Sequence, residues 1–185
     1  MADFFDALDD KHIAMIGKQP VFFVATAAEG SRINLSPKGY DAFRVLGPKR
    51  VAYLDLAGSG NETHAHLAAD GRITIMFCNF ERPALILRLY GTGRAVLPQD
   101  EGWAELAAHF DLMPGTRQIF DIAVDSVQTS CGWGVPFMEF KDERSTLAKA
   151  HAQSDPEQWL EMVRGRRESI DGIAVRTTDR YIAGN

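Results

Sequence analysis

The strongest constraint on the fold is a series of apolar segments that follow one another without a regular alternation of strand and helix. These segments are rich in β-branched and aromatic residues, as strands are, and they cover residues 21–27, 32–36, 50–56, 72–80, 84–97 and 117–130. A doubly wound parallel sheet alternates strands with helices, so the pattern argues against that architecture. It predicts a mainly β fold, in which antiparallel strands form a small closed barrel, because closure removes exposed strand edges.

Helical patterns lie before and after the strand region and in two of the connections between its strands. Apolar spacing predicts a first helix over residues 3–18, with Asp3 as its N-cap. Two short helices are predicted over Glu62–Ala69 and residues 100–110, and two more around a turn at Asp155–Pro156. The predicted barrel therefore carries peripheral helices.

The chain has 185 residues and is most simply one domain. We expect a single domain over residues 1–185, with the barrel at about 20–135 and a helical tail at about 137–170. Within the barrel, Pro37 is expected to break the second strand, because proline lacks the N–H that a continuing ladder needs.

Composition and charge narrow the classes of function. The formal net charge is -5, so bulk electrostatics oppose binding to nucleic acid or to an anionic membrane. Small barrels can bind nucleic acid, but this chain lacks interleaved basic and aromatic residues. Its apolar runs fall short of the roughly 20 residues that span a bilayer, and its acidic N-terminus does not resemble a signal peptide. With only two cysteines, a cytoplasmic location is expected.

The segment G-S-G-N-E-T, residues 58–63, joins a predicted strand to a predicted helix. Glycines let a ligand approach the backbone, and a helix N-terminus presents unpaired N–H groups to an anion. Asn61 and Thr63 add side-chain donors, whereas the segment matches neither the dinucleotide nor the nucleotide-triphosphate loop pattern. Two interpretations follow: a plain turn in which Asn61 or Thr63 caps the helix, or a cradle for a phosphate.

Other polar or aromatic residues stand at the ends or in the middle of predicted strands. Ser36, Pro37 and Lys38 end the second strand, and lysine is a good point-charge partner for phosphate. Arg88 interrupts an apolar strand, and Trp133 lies between two glycines, where it could stack on a planar ring. Each also has an ordinary interpretation, as a solvated loop lysine, an exposed-face arginine or a tryptophan that fills an apolar gap.

The H-x-H pair, His64 and His66, is the one arrangement that raises the question of a metal. On a helix the two side chains lie nearly opposite each other, so they cannot share a metal ion. We therefore expect two solvent-facing histidines and no metal site. The sequence assigns no catalytic acid, base or nucleophile.

Taken in order, the motifs N-x-S-P-K-G, R-V-A-Y-L-D, G-S-G-N-E-T and L-R-L-Y-G resemble the pyridoxamine 5′-phosphate oxidase-related family of flavin-binding split barrels. The resemblance covers residues about 10–135. The segment S-C-G-W-G-V-P that follows is similar to a subgroup of bacterial flavoproteins. The order of these motifs is far more specific than any one of them.

This resemblance implies a six-stranded antiparallel split barrel that binds FMN at the interface of a homodimer, with the phosphate held by loops at the barrel rim. It implies an FMN-dependent oxidoreductase; a non-enzymatic flavin-binding or sensing protein, or a relative that uses haem or a deazaflavin, is the alternative. Arg88 and Trp133 would reach the FMN of the other subunit. The cofactor-binding residues carried over are Ser36, Pro37, Lys38, Asn61, Glu62, Thr63, Arg88 and Trp133.

Two departures concern the substrate. Pyridoxamine phosphate oxidases carry an Arg/Lys-rich phosphate segment where this chain has Asn-Glu-Thr, and Glu62 is an anion. They also end in an Arg-x-His signature, whereas this chain has Arg176 and Arg180 without such a histidine. The resemblance therefore implies FMN as the cofactor but does not imply a vitamin B6 substrate.

Overall fold

The computed structural model describes residues 2–184, and within them eight strands form one antiparallel sheet with five helices at its periphery. The strands are β1 (Asp3–Phe5), β2 (Phe22–Thr26), β3 (Asn34–Lys38), β4 (Phe43–Gly47), β5 (Arg50–Leu56), β6 (Arg72–Asn79), β7 (Leu85–Val96) and β8 (Thr116–Ser130). The helices are α1 (Asp10–Ile16), α2 (Glu62–Ala69), α3 (Trp103–Ala107), α4 (Thr146–Ala152) and α5 (Pro156–Arg164).

The sheet runs in the order β3-β2-β6-β7-β8-β5-β4, with β1 paired to the far end of β8. Its two end strands, β3 and β4, each pair on one side only, so the barrel is split between them. Lys38 and Asp55 join β3 to β5 across this split, with 3.0 Å between Nζ and Oδ1. The predicted class, a mainly β antiparallel split barrel, is confirmed, although it has eight strands and not six.

All six predicted strands are present, with ends that shift by one or two residues. The two additional strands are β1 and β4, both short. The prediction that Pro37 breaks the second strand is wrong, because β3 continues through it to Lys38 and pairs Pro37 with Phe23. β3 is an edge strand and has no neighbouring strand on its open side within residues 2–184, so the missing N–H of proline costs no hydrogen bond there.

The N-terminal helix is shorter than predicted. Asp3–Phe5 pairs with β8 as β1, and the helix begins at Asp10, where the side chain of Asp9 accepts a hydrogen bond from the His12 N–H. Asp9, not Asp3, is therefore the N-cap. The prediction of Glu62–Ala69 as a helix is confirmed, whereas the helix predicted over residues 100–110 covers only Trp103–Ala107.

In the tail, residues 137–145 are not helical, and α4 and α5 follow them. None of the helices within residues 2–184 is long and apolar enough to cross a membrane.

The core lies inside the barrel and is dominated by aromatic rings. Phe22 of β2 packs edge-on against Phe43 of β4 and Tyr53 of β5, with ring centroids 5.1 and 5.5 Å apart. Phe77 and Phe120 complete this cluster. Such edge-to-face pairs stabilise beyond the area they bury, and here they hold β2 against the opposite side of the split.

Gly91 lies where the register of the β7–β8 ladder shifts, and a Cβ atom at this position would overlap the carbonyl oxygen of Ala123. We expect Gly91→Ala to lower the free energy of unfolding by about 2–3 kcal/mol, because a backbone oxygen within a ladder cannot move aside. Gly93→Ala is the control, since its Cβ would meet mainly side-chain atoms of Ile122 and Leu67. Urea unfolding measures both, and equal losses would contradict this account of the strand.

Candidate functional site

The site is built around the N-terminus of α2, which follows the Gly-rich loop (residues 57–61) at the end of β5. Asn61 is the N-cap residue, but no side chain within residues 2–184 caps this helix. Instead, Asn61 Oδ1 accepts a hydrogen bond from Gln118 Nε2 at 2.9 Å, and Thr63 Oγ1 accepts one from Asn34 Nδ2 at 3.1 Å. The plain-cap interpretation is therefore wrong, and the first-turn N–H groups have no side-chain partner among residues 2–184.

Positive charge is held beside the loop by one buried carboxylate. Asp55, which is 2% exposed, accepts hydrogen bonds from Lys38 Nζ at 3.0 Å and from Arg117 Nη2 at 2.7 Å. Arg117 also donates to the carbonyl oxygen of Gly60 at 2.9 Å, and Gln118 donates to Asp55. Burial raises the pKa of Asp55, but the charges of Arg117 and Lys38 and the bonds from Arg117 and Gln118 bring it far below its usual range. Asp55 is thus an anion that fixes two cations at the site.

Tyr53 contributes a polar group without a partner in the described part of the chain. Its side chain is fully buried, and its hydroxyl lies beside Thr63 without a hydrogen bond of good geometry. Burial raises the pKa of this phenol well above its ordinary value, and the charge of Asp55 adds to the effect. Lys38 Nζ lies 6.0 Å from the centroid of the Tyr53 ring. The site therefore contains one buried hydroxyl without a partner among the described residues.

The histidine pair is buried, so the prediction that His64 and His66 face solvent is wrong. They do point in different directions: His64 Nδ1 lies 2.7 Å from Gln118 Oε1, and His66 Nδ1 lies 3.0 Å from Thr26 Oγ1. α2 packs across the neighbouring strands β2, β6 and β7, and the two histidines reach Gln118 of β8 and Thr26 of β2. Burial lowers the pKa of His64, although the bond to Gln118 opposes this, so the ring is kept neutral.

The predicted site residues fall into separate groups. Lys38, Asn61 and Thr63 lie within the polar network around α2, and Ser36 shares the inner face of β3 with Lys38. Glu62 begins α2, and its Oε1 accepts a hydrogen bond from the backbone of Ile170 at 3.0 Å. Its second oxygen is buried without a partner among the described residues.

Pro37 and Arg88 lie on the other face of the sheet. The ladder register places them in one row that crosses β3, β2, β6 and β7, and Arg88 Nη1 donates to Ser130 Oγ at 3.1 Å. Trp133 lies beyond β8, is 85% exposed and lines an open groove of about 610 Å³ with Phe80 and Phe137. Within one chain, these three residues do not join the cluster at α2.

Sequence reasoning missed Asp55, Arg117 and Gln118, and it placed His64 at the surface although the residue is buried against Gln118. One signal was available, because Asp55 is a charged residue inside the apolar strand Y-L-D-L, and a buried carboxylate requires a charged partner. The partner could not be identified, since Arg117 is 62 residues away and meets Asp55 only through the β5–β8 ladder.

Comparison with known proteins gives the family. Residues 8–131, more than half of the chain, match the sequence model of the pyridoxamine 5′-phosphate oxidase family. The pyridoxamine 5′-phosphate oxidase family protein ustO of Aspergillus flavus is 38% identical over 151 residues, an alignment that covers 79% of this chain and 61% of ustO. The chain therefore spans less than two thirds of that relative's length.

Solved structures show the same fold. HupZ of Group A Streptococcus superposes with a TM-score of 0.52 at 22% identity, covering 65% of this chain and 91% of HupZ. A candidate pyridoxamine 5′-phosphate oxidase from Lactobacillus delbrueckii superposes with a TM-score of 0.54 at 14% identity, covering 66% of this chain and 94% of that protein. Sequence and fold agree, and the chain belongs to the pyridoxamine 5′-phosphate oxidase family.

Proposed function

We propose that this protein binds FMN, with the phosphate at the N-terminus of α2, and acts as a flavin-dependent oxidoreductase. The observation that carries the proposal is the uncapped first turn of α2 beside Lys38 and Arg117. A helix N-terminus supplies backbone N–H groups and the positive end of the helix dipole. Lysine and arginine add charge-assisted hydrogen bonds, which are about twice as strong as neutral ones.

The charges of the site suit a phosphate. Lys38 and Arg117 together place two positive charges beside the loop, against the negative charges of Asp55 and Glu62. Glu62, the anion that the sequence places in the first turn, bonds through one oxygen to the backbone of Ile170. The Tyr53 hydroxyl offers a further donor. The residues present therefore fit a phosphate group.

The roles of the chain's own residues are to bind and to orient. The flavin, when bound, accepts or donates hydride at its ring. Lys38, Arg117 and the first turn of α2 would hold the phosphate end. Asp55 and Gln118 would keep these groups in place, and the buried core behind Tyr53 would exclude water. We assign no catalytic acid or base.

An absorption spectrum of the purified protein, followed by mass identification of the released chromophore, tests the proposal. We expect flavin bands and the mass of FMN. Steady-state turnover with NAD(P)H then separates an enzyme from a flavin-binding or sensing protein. A haem or deazaflavin spectrum would contradict the FMN assignment and favour the alternative within the family.

We propose a homodimer, in which the outer face of the sheet meets its copy. One row of paired residues crosses this face from β3 to β1, and it includes Pro37, Phe23, Met76, Arg88, Gln128 and Phe4. Phe4 on β1 and Leu35 on β3, at the two ends of this face, are more than half exposed, and Phe23 and Met76 between them are half-buried. Light scattering on the flavin-loaded protein should give twice the monomer mass; a monomer with stoichiometric flavin would contradict a shared site.

We expect little or no oxidation of pyridoxine or pyridoxamine phosphate. Two arginines of the tail are engaged at the surface, Arg176 with Asp100 and Arg180 with Asp179. Neither is therefore placed to meet a substrate phosphate as the arginine of the Arg-x-His signature would. An assay of pyridoxal phosphate formation by the FMN-loaded protein checks this, and efficient turnover would show the expectation to be wrong.

A further inference from the structure

The C-terminal tail (residues 146–184) contacts Ala57, the first residue of the Gly-rich loop, and Glu62, the residue that follows the loop. The family match ends at residue 131, so the tail lies outside the region by which the family is recognised. Within the loop, Ser59 and Gly60 are exposed, and a Cβ at Gly58 would meet no atom within 4 Å. Arg117 and Gln118 hold Gly60 and Asn61 at the end of the loop, so its conformation depends also on what holds its start at Ala57.

The first contact is made by a histidine whose tautomer is fixed. Trp159 Nε1 can only donate, and it lies 3.1 Å from His151 Nδ1, so Nδ1 is the acceptor. His151 Nε2 therefore carries the hydrogen, and it donates to the carbonyl oxygen of Ala57 at 2.8 Å. Both rings are buried, and Trp159 packs with Val163 against Ala57. The start of the loop is thus held by a directed hydrogen bond from the tail.

The His151 ring is itself enclosed on its other sides. A Cβ at Gly115, which has a φ of +79°, would overlap this ring, and the Gly115 carbonyl oxygen accepts the Ala57 N–H at 3.0 Å. Tyr181 donates its hydroxyl hydrogen to the backbone oxygen of His151 at 2.7 Å. These contacts fix the position of the His151 ring against the loop.

The second contact is made just after the loop. The Ile170 N–H donates to Glu62 Oε1 at 3.0 Å, and Asp171 forms an ion pair with Arg32, which precedes β3. The tail therefore links Arg32, which precedes the strand that bears Lys38, to Glu62, the first residue of α2. It also draws the carboxylate of Glu62 toward a backbone donor.

We propose that His151 and Trp159 are positioning residues, which hold the Gly-rich loop in the conformation that binds the FMN phosphate. The inference rests on the function proposed above. Neither side chain needs to touch the cofactor: their effect passes through the backbone of Ala57 to the first turn of α2. The contribution should therefore concern the phosphate and not the flavin ring.

Titration of FMN and of riboflavin, which lacks the phosphate, against Trp159→Phe and His151→Gln tests the inference. Trp159→Phe keeps the packing of the ring but removes the donor that fixes His151. The loss of one hydrogen bond predicts a roughly three- to tenfold rise in the Kd of FMN, with riboflavin changed by less than about twofold. Thr178→Val is the control, since Thr178 is a buried tail residue whose hydroxyl bonds only to the tail backbone at Arg180.

Thermal melts of all variants accompany the titrations. If both flavins weaken alike, or if neither changes while the melting temperature falls, the tail is structural and the inference is wrong. If wild-type protein binds FMN no more tightly than riboflavin, the proposed phosphate site fails and the inference fails with it. A wild-type preference for FMN that both variants retain overturns the inference alone.

Discussion

Asp55→Asn is expected to lower the free energy of unfolding by about 3–5 kcal/mol, the usual cost of removing one partner from a buried ion pair. The substitution preserves shape but leaves Arg117, which is buried, without its charged partner. It also removes the partner of Lys38 across the split between β3 and β5. Urea unfolding of the flavin-free protein measures the loss.

Asp179→Asn is the matched control. Asp179 pairs with Arg180 at the surface, where both side chains are more than half exposed, and such pairs contribute about 0–1 kcal/mol. If Asp55→Asn costs no more than this control, the buried pair does not organise the site as described here.

The effect of Asp55 should depend on pH in a defined direction. Because its pKa in the folded protein lies below that of the unfolded chain, the charged carboxylate stabilises the fold at pH values above the unfolded pKa of about 4. This contribution is lost as the pH falls from there toward the folded pKa. Between pH 6 and pH 2, the free energies of unfolding of wild type and Asp55→Asn should therefore approach each other as the pH falls.

Lys38→Met is expected to weaken FMN by about tenfold to a hundredfold. Hydrogen bonds to charged groups contribute roughly 1.5–3 kcal/mol, and each 1.4 kcal/mol is about a factor of ten in Kd. Methionine keeps much of the apolar stem, and Arg117 and Gln118 remain bonded to Asp55. The Kd of riboflavin should be nearly unchanged, because riboflavin has no phosphate with which Lys38 could form a hydrogen bond.

Lys49→Met is the control for this titration, since Lys49 is an exposed lysine between β4 and β5. It changes the net charge by the same amount without changing the site. If Lys38→Met and Lys49→Met weaken FMN equally, Lys38 contributes only through the net charge of the protein and not through a bond to the phosphate. Equal losses of FMN and riboflavin in Lys38→Met would indicate a damaged fold.

Most of the fold could be predicted because its signals are local. The alternation of β7, in which Leu87 and Leu89 are buried and Arg88 is not, is visible in the sequence. β1 and β4 could not be predicted in this way. Asp3–Phe5 is three residues long and becomes a strand only because β8 offers it an edge, so its spacing resembled the start of a helix.

The candidate site was visible in part for the same reason. The Gly-rich loop and Lys38 are recognisable by local chemistry and by their order along the chain. The contacts that hold them are not local: Arg117 meets Asp55 across 62 residues, and His151 meets Ala57 across 94. These pairings depend on the register of the sheet and on the path of the tail, and neither can be read from the local pattern of one sequence.

The central claim is that the N-terminus of α2 binds the phosphate of FMN, and the most direct test compares FMN with riboflavin on the wild-type protein. Flavin fluorescence titrations of the cofactor-free protein give both dissociation constants under one set of conditions. We expect FMN to bind at least about tenfold more tightly than riboflavin, because one charge-assisted hydrogen bond is worth roughly that factor. Equal affinity for the two flavins would contradict it.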